Sequence, residues 1–144
     1  MLLWLPVIIV IVLDGITKNL VSRHIIKADF VANYGLAFSL PSSKVQAIVI
    51  TAAITAVLIF YYFWQRSSWG RIQKLGFGLI VGGGAGNLLE RLYRGSIIDF
   101  IHVGNAWLNV ADLAIIVGIV ILVFMSLRGT PNSSVIASEA KQSK

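Results

Sequence analysis

The side chains best suited to chemistry in this sequence are carboxylates that lie close together along the chain. Glu90, Asp99 and Asp112 are three of its six acidic residues, and all of them fall in one stretch flanked by strongly apolar segments. A carboxylate near the hydrocarbon core of a membrane is energetically costly, so each of these residues is a candidate functional residue. The pattern therefore points to chemistry based on carboxyl groups.

A turn containing His102, Gly104 and Asn105 lies between Asp99 and Asp112 and can bring their carboxyl groups together. Two carboxyl groups about 3 Å apart cannot both ionise cheaply, so such a pair shares one proton. The charged member can take a proton from water while the neutral member hydrogen-bonds a scissile carbonyl. The residues alone permit a membrane hydrolase with an aspartate dyad, or a proton- or ion-coupled membrane protein that uses the same acids as a relay.

Amide and cationic side chains in the same segments can bind substrate carbonyls or hold the carboxylates in position. These residues are Asn33, Asn87, Arg91 and Asn109. Asp14 lies in or near the first apolar segment and needs a cationic partner, either Lys18, four residues later, or Arg91. We expect a structural ion pair here in preference to direct chemistry.

The sequence offers little for other kinds of catalysis. It contains no cysteine, which excludes a thiol nucleophile, a disulfide and a cysteine-ligated metal. The two histidines, His24 and His102, are far apart, and the motifs H-E-x-x-H and G-x-S-x-G are absent. The glycine-rich segment 82–86 lacks the Lys-Ser/Thr pair of a phosphate-binding loop. We therefore expect neither a metal nor a cofactor.

The composition indicates an integral membrane protein. Hydrophobic residues make up 57% of the chain and charged residues only 12%, whereas soluble domains carry about 25% charged residues. A spanning helix needs about 20 apolar residues, and the segments that qualify are roughly 2–22, 44–64, 72–92 and 107–128. We predict an all-α bundle of four transmembrane helices that forms one integral membrane domain over 1–128, followed by a disordered cytoplasmic tail over 129–144.

The net charge of +6 is explained by basic residues at the ends of the spans, so nucleic acid is not an expected partner. Six of the twelve basic residues lie in the second loop and in the C-terminal tail, and the acidic residues of the first and third loops offset some of the cations there. The positive-inside rule therefore assigns both termini and the second loop to the cytoplasm, and the first and third loops to the outside. The second span holds no charged residue after Lys44 and is expected to serve only as scaffolding.

The loops and the third span carry further structural signals. In the first loop, aromatic and β-branched residues interrupted by Asn33 and Gly35 fit a short strand or hairpin with an ordinary turn. The third loop mixes apolar and polar residues and fits an amphipathic segment lying flat on the membrane. In the third span, Gly78, Gly82 and Gly86 recur at every fourth position, which allows helices to approach closely.

Five motifs in chain order resemble those of the bacterial lipoprotein signal peptidases, also called signal peptidase II. They extend from residue 14 to residue 112, and their number and order make the resemblance specific. The motifs are Asp14-x-x-Thr17-Lys18, Asn33-x-Gly35-x-Ala37-Phe38-Ser39, Gly83-Gly84-Ala85-Gly86-Asn87-x-x-Glu90-Arg91, Gly95-x-x-x-Asp99-Phe100-Ile101 and Asn109-x-Ala111-Asp112.

The resemblance implies an aspartic endopeptidase of the bacterial cytoplasmic membrane, with its active site at the extracytoplasmic face. Its substrates would be lipid-modified prolipoproteins, cut just before the diacylglyceryl-modified cysteine, and globomycin would inhibit it. The implied fold is a four-helix bundle with a small extracytoplasmic β-sheet cradle and a short loop helix. We expect such a protein to contact membrane lipid and to be a monomer.

The resemblance also implies roles for individual residues. The catalytic aspartates correspond to Asp99 and Asp112. The substrate-binding positions correspond to Asn33, Gly35, Asn87, Arg91 and Asn109, and the supporting positions to Asp14, Lys18 and Glu90.

Three positions depart from the family pattern. Glu90 stands where family members usually have Asp, Gly15 replaces a commoner Gln, and Leu36 a commoner Ala. Because Glu is one methylene longer and can still pair with an Arg, we expect altered local geometry at this position rather than lost activity. Neither Gly15 nor Leu36 is expected to touch the aspartate pair.

Overall fold

The computed structural model describes residues 3–35, 43–65 and 68–127. Within these ranges the helices are α1 (Trp4–Ser22), α2 (Lys44–Gln65), α3 (Arg71–Arg94) and α4 (Val110–Leu127). The short strands are β1 (Val31–Asn33), β2 (Ile97–Asp99), β3 (Ile101–Val103) and β4 (Ala106–Leu108). The mostly helical architecture with small antiparallel sheets agrees with the prediction, whereas Leu36 and the tail 129–144 lie outside the described residues.

The helices follow the apolar segments, with one boundary corrected. The fourth span was predicted to begin at 107, but α4 begins at Val110, because residues 106–108 pair with a neighbouring strand. Among the described residues, α1, α2 and α4 are long and apolar enough to cross a membrane. At 24 residues α3 is longer than these three, but it is less apolar, because it contains several glycines and the polar residues Asn87, Glu90 and Arg91.

Helix α3 lies at the centre of the bundle and contacts the other three helices. The glycines predicted from their four-residue spacing face α1, where a Cβ atom at Gly82 would lie 3.0 Å from the Cα atom of Val7. Other glycines bring α3 close to α4. A Cβ atom added at Gly83 would collide with the carbonyl oxygen of Ala111 in α4. Likewise, a Cβ atom at Gly118 of α4 would collide with the carbonyl oxygen of Gly76 in α3. The two helices therefore pack backbone against backbone along much of their length.

This packing makes Gly83 sensitive to substitution. We expect Gly83→Ala to lower the free energy of unfolding by about 1–3 kcal/mol, because overpacking a tight contact forces the backbones apart. Gly15→Ala is the matched control, since a Cβ atom at Gly15 would have no atom within 4 Å to meet. Unfolding titrations in mixed micelles measure both effects, and an equal response of the two variants would contradict the packing explanation.

The apolar and polar parts of the bundle are separated along the helix axes. Leu3, just before α1, and Val7 of α1 pack with Phe77 and Val81, in the N-terminal half of α3, in a buried apolar cluster. The buried charged and amide side chains of the same two helices lie nearer their C-terminal ends. Helices α1 and α3 therefore run parallel, with their polar ends together and close to the strands.

The strands join the first and third loops next to these polar ends. Strand β1 pairs antiparallel with β2, and Val31 lies opposite Asp99. Strands β3 and β4 form a hairpin whose turn includes Gly104, at a φ of 60° that glycine adopts without strain. The amide N–H of Phe100 donates to the carbonyl oxygen of Leu108 at 2.9 Å, so the two ends of the hairpin lie side by side.

The third loop differs from its prediction. It was predicted as an amphipathic segment lying flat, but residues 97–108 form three strands. The short loop helix implied by the resemblance was assigned to no particular loop, and part of the first loop lies outside the described residues. Ile97 and Ile98 are both buried, and β-branched residues favour an extended chain. The first-loop strand was predicted correctly, although its described partner belongs to the third loop.

Candidate active site

The site is built around Asn109, which follows β4 and precedes α4. The side-chain amide of Asn109 donates from Nδ2 to Asp99 Oδ1 at 2.6 Å, and its backbone N–H donates to Asp112 Oδ2 at 3.1 Å. In return, the backbone N–H of Asp112 donates to Asn109 Oδ1 at 2.9 Å. This reciprocal pair is a capping box, which satisfies free N–H groups at the start of α4. The predicted turn therefore does bring the surroundings of Asp99 and Asp112 together.

Asp99 is held by an amide on each of its oxygens. In addition to the bond from Asn109, Asn33 Nδ2 donates to Asp99 Oδ2 at 2.9 Å. The other end of the Asn33 side chain accepts a hydrogen bond from the N–H of Gly35 at 3.0 Å, which fixes the amide orientation. Gly35 therefore affects Asp99 indirectly, because its N–H fixes the Asn33 side chain in the turn that follows β1.

The environment of Asp99 favours retention of a proton. The side chain is buried, and burial raises the pKa of the Asp99 carboxyl above its ordinary value because the charged form loses solvation. The hydrogen bonds from Asn33 and Asn109 lower the pKa and partly offset this effect, whereas the negative charge of Asp112 raises it further. The charge of Asp112 therefore acts on the ionisation of Asp99.

Asp112 is connected to a buried lysine through one amide. Asn87 Nδ2 donates to Asp112 Oδ1 at 2.9 Å, and Asn87 Oδ1 accepts from Lys18 Nζ at 3.0 Å. Lys18 also forms ion pairs of 2.7 Å with Asp14 and with Glu90. All three hydrogens of the ammonium group thus have an acceptor. Of the two cations considered as partners for Asp14, Lys18 and Arg91, the structure shows the ion pair with Lys18.

The supporting carboxylates also hold backbone groups of the site. Asp14 Oδ1 accepts from the N–H of Ala111 at 3.0 Å, so a side chain of α1 satisfies the first turn of α4. Glu90 Oε2 accepts from the N–H of Ile98 at 3.4 Å, beside Asp99. Through Lys18 these contacts tie α1, α3, α4 and β2 into one network.

Arg91 is placed differently from the other predicted residues. Its Nη2 donates to the carbonyl oxygen of Gly35 at 2.7 Å, and its Nη1 to Thr51 Oγ1 at 3.3 Å, while its buried Nε has no partner among the described residues. Arg91 therefore joins the first loop to α2 and makes no hydrogen bond to either aspartate. Thr51 was missed because α2 was treated as scaffolding; a threonine four residues before Thr55 in an apolar helix was the available signal.

The described residues contain no group of three His, Cys, Asp or Glu side chains that can hold a metal ion. His24 contacts Phe30 and His102 contacts Trp107, at ring-centroid distances of 6.0 and 4.6 Å. In the described part of the chain, the side chains of the site that can take part in proton transfer or hydrogen bonding to a substrate are carboxylates, amides and two cations.

The fold and this site together define a helical membrane protein in which Asn109 links two aspartates at one end of the bundle. A family model described as signal peptidase (SPase) II matches residues 6–128. The chain belongs to the signal peptidase II family and is a protease of that type.

Proteins similar to this chain over most of its length carry the name lipoprotein signal peptidase. The one from Syntrophomonas wolfei is 34% identical, over 86% of this chain and 91% of the relative. The one from Clostridium novyi is 33% identical, over 86% of this chain and 96% of the relative. The resemblance stated from the motifs is thus confirmed.

Two solved structures, each described as a bacterial membrane enzyme determined by the in meso method, share the fold. The structure at 2.3 Å has a TM-score of 0.75 and 21% identity, and covers 89% of this chain and 88% of its own. The structure at 1.9 Å has a TM-score of 0.70 and 22% identity, and covers 88% of this chain and 92% of its own. With its three strongly apolar helices, the chain is a multi-pass membrane protein.

Proposed function

We propose that the protein removes signal peptides from prolipoproteins with Asp99 and Asp112 as its catalytic aspartates. Membership of the signal peptidase II family gives the reaction and the class of substrate. The observation that carries the residue assignment is the position of Asn109, which hydrogen-bonds the carboxyl groups of both aspartates. We assign cleavage to the bond before the diacylglyceryl-modified cysteine.

In the proposed mechanism the two carboxyl groups share one proton. The ionised group takes a proton from water, whose oxygen attacks the scissile carbonyl carbon, while the protonated group hydrogen-bonds the carbonyl oxygen. Proton transfer to the nitrogen then accompanies breakage of the C–N bond, so the water is divided between the two products. The pair is left with one proton, as at the start.

We assign substrate contacts to the remaining polar positions of the site. These are Asn33, Gly35, Asn87, Arg91 and Asn109, with Asp14, Lys18 and Glu90 as supporting residues. Two observations support this assignment. Among the described residues β1 pairs only with β2, which leaves an edge for an extended peptide. The guanidinium of Arg91, whose Nε has no partner among the described residues, contacts Gly35 just after that strand.

For the membrane topology we propose four spans within a single domain over 1–128. Contacts of α3 with all three apolar helices support its insertion, because its polar face then points into the bundle and not to lipid. The cations of the second loop and of the tail support a cytoplasmic location for both termini. The strands and the aspartate pair then lie at the extracytoplasmic face, and we propose that the enzyme is a monomer.

The function is tested with two peptides that contain the same lipoprotein cleavage sequence, one with a diacylglyceryl-modified cysteine and one with an unmodified cysteine. Purified protein is expected to cut only the modified peptide, immediately before its cysteine, and globomycin is expected to block the reaction. Mass spectrometry of the products identifies the bond that is cut. Intact modified peptide, together with proton flux in liposomes, would instead support the relay.

The pH dependence should reflect the two aspartates as a coupled pair, with a bell-shaped profile of kcat/KM. Because the pKa of Asp99 is raised, its proton is retained to higher pH than that of an ordinary carboxyl group. Asn33→Ala removes a donor that stabilises ionised Asp99, so it raises this pKa further and should shift one limb of the profile to higher pH. Asn105→Ala, at the exposed hairpin turn, is the control, and a shift to lower pH in Asn33→Ala would contradict the assignment.

A further inference from the structure

Helix α2 turns two threonines, Thr51 and Thr55, towards α3 from an otherwise strongly apolar sequence. The hydroxyl of Thr55 lies beside Gly84 and donates to the carbonyl oxygen of Thr51 at 2.8 Å, a bond within its own helix that threonine commonly makes. Thr51 differs, because its Oγ1 accepts a hydrogen bond from Nη1 of Arg91 in α3 at 3.3 Å. Thr51 therefore connects α2 to a polar residue of the site.

Arg91 is a buried cation with few partners. It is 6% exposed, and none of the ion pairs among the described residues involves it. Besides the bond to Thr51, its Nη2 donates to the carbonyl oxygen of Gly35 at 2.7 Å. A guanidinium is planar and its N–H groups form a rigid fork, so bonds from two different nitrogens fix its orientation, whereas a single bond allows it to turn. The Thr51 oxygen therefore decides whether the guanidinium is held in one orientation.

The second partner of Arg91 belongs to the turn after β1. Arg91 holds this turn by the carbonyl oxygen of Gly35, while the side chain of Asn33 holds it by the N–H of the same glycine at 3.0 Å. The turn is thus fixed from both sides, once by α3 and once by β1. A guanidinium that turns away from Gly35 removes one of these two attachments.

We propose that Thr51 is a positioning residue for substrate binding. Its oxygen keeps the Arg91 guanidinium on the carbonyl of Gly35 and so sets the position of the first-loop turn against which the lipid-modified peptide binds. The inference rests on the proposed function, in which Asn33, Gly35 and Arg91 contact the substrate. It gives α2, which was expected to serve only as scaffolding, a part in the reaction.

The contacts of Asp99 indicate which kinetic constant Thr51 affects. The first-loop turn reaches Asp99 through one bond, from Asn33 Nδ2 at 2.9 Å, whereas Asn109 holds the other carboxyl oxygen at 2.6 Å from a different segment. Loss of the Thr51 oxygen leaves the bond from Asn109 in place. We therefore expect weaker substrate binding and a chemical step that is largely unchanged.

The test is single-turnover cleavage of the peptide with the diacylglyceryl-modified cysteine by the full-length protein in mixed micelles. Thr51→Val replaces the hydroxyl with a methyl group of similar size, and should raise the half-saturating concentration about tenfold with less than about threefold change in the maximal rate. Thr51→Ser retains the oxygen and should restore wild-type binding. Thr55→Val is the matched control, because the hydroxyl that it removes bonds only within α2 among the described residues.

A second comparison shows whether Thr51 acts through Arg91. Arg91→Lys keeps the charge but removes the planar fork, so the lysine side chain cannot hold Thr51 and Gly35 in the same geometry. Adding Thr51→Val to Arg91→Lys should therefore change the half-saturating concentration less than about twofold further. A full additional tenfold loss in the double variant would contradict an effect through Arg91.

The results separate this inference from the proposed function. A wild-type protein that does not cleave the modified peptide would contradict the proposed function and this inference with it. If wild type cleaves, unchanged binding by Thr51→Val, an equal loss in Thr55→Val, or a loss confined to the maximal rate would overturn the role of Thr51 alone. Thr51→Ala removes the same oxygen and replaces the valine variant if circular dichroism shows that the latter is unfolded.

Discussion

Asp99→Asn and Asp112→Asn are each expected to reduce kcat for cleavage of the lipid-modified peptide at least about 1,000-fold. An amide can neither take a proton from water nor share one with the remaining carboxyl group, so the proposed chemistry is lost and not merely slowed by poorer binding. The change is nearly isosteric, and each Asn can retain one acceptor oxygen for the bonds from Asn109. The measurement is single-turnover cleavage with saturating substrate.

The control for both variants is Asp29→Asn, which removes an exposed carboxylate of the first loop that lies outside the network. It should cleave at the wild-type rate. Binding of globomycin to the two inactive variants would indicate that their sites are folded. If one of them remained active, the dyad would be wrong, and Asp14 or Glu90 would become the next candidate.

The second large effect is expected from Lys18→Met, which should lower the free energy of unfolding by about 3–5 kcal/mol. Lys18 is the shared cation of Asp14 and Glu90, and all three side chains are at least 91% buried. Removal of one partner from a buried ion pair leaves charge that the protein interior cannot solvate. The same change also frees the amide of Asn87 to turn away from Asp112, so we expect activity to fall as well.

A double-mutant cycle separates the lost charge balance from lost packing. Adding Glu90→Gln to Lys18→Met removes one of the two uncompensated carboxylates and should recover part of the stability, whereas Glu90→Gln alone should destabilise. Lys27→Met, in the exposed part of the first loop, is the matched control and should have little effect. Strictly additive losses in the cycle would show that Lys18 and Glu90 are not coupled in the folded protein.

Local sequence patterns were sufficient for much of the site. The three-residue spacing of Asn109 and Asp112 places both in the first turn of a helix, where a capping box forms from contacts within four residues. The turn at Gly104 likewise brings the chain back on itself through local geometry. Both features depend on neighbouring residues alone; the turn was predicted from its residues, whereas the capping box was not predicted although its spacing is in the sequence.

The remaining contacts depend on where distant segments meet. Asn33 and Asp99 are 66 positions apart, and their hydrogen bond depends on the pairing of β1 with β2, which no local pattern encodes. Arg91 shares a helix face with Asn87, yet it reaches the first loop and Thr51, because α2 packs against that side of α3. The strands of the third loop were missed for the same reason, since buried apolar residues there fit either an amphipathic segment or a paired strand.

The pairing of β1 with β2 has a consequence for the order of events during synthesis. Strand β1 leaves the ribosome before α2 and α3, but it pairs with residues that follow both of these helices. Asp112, the proposed partner of Asp99, lies in α4 and is synthesised later still. A growing chain therefore carries isolated parts of the proposed site until α4 has been synthesised, so the proposed aspartate pair cannot form before then.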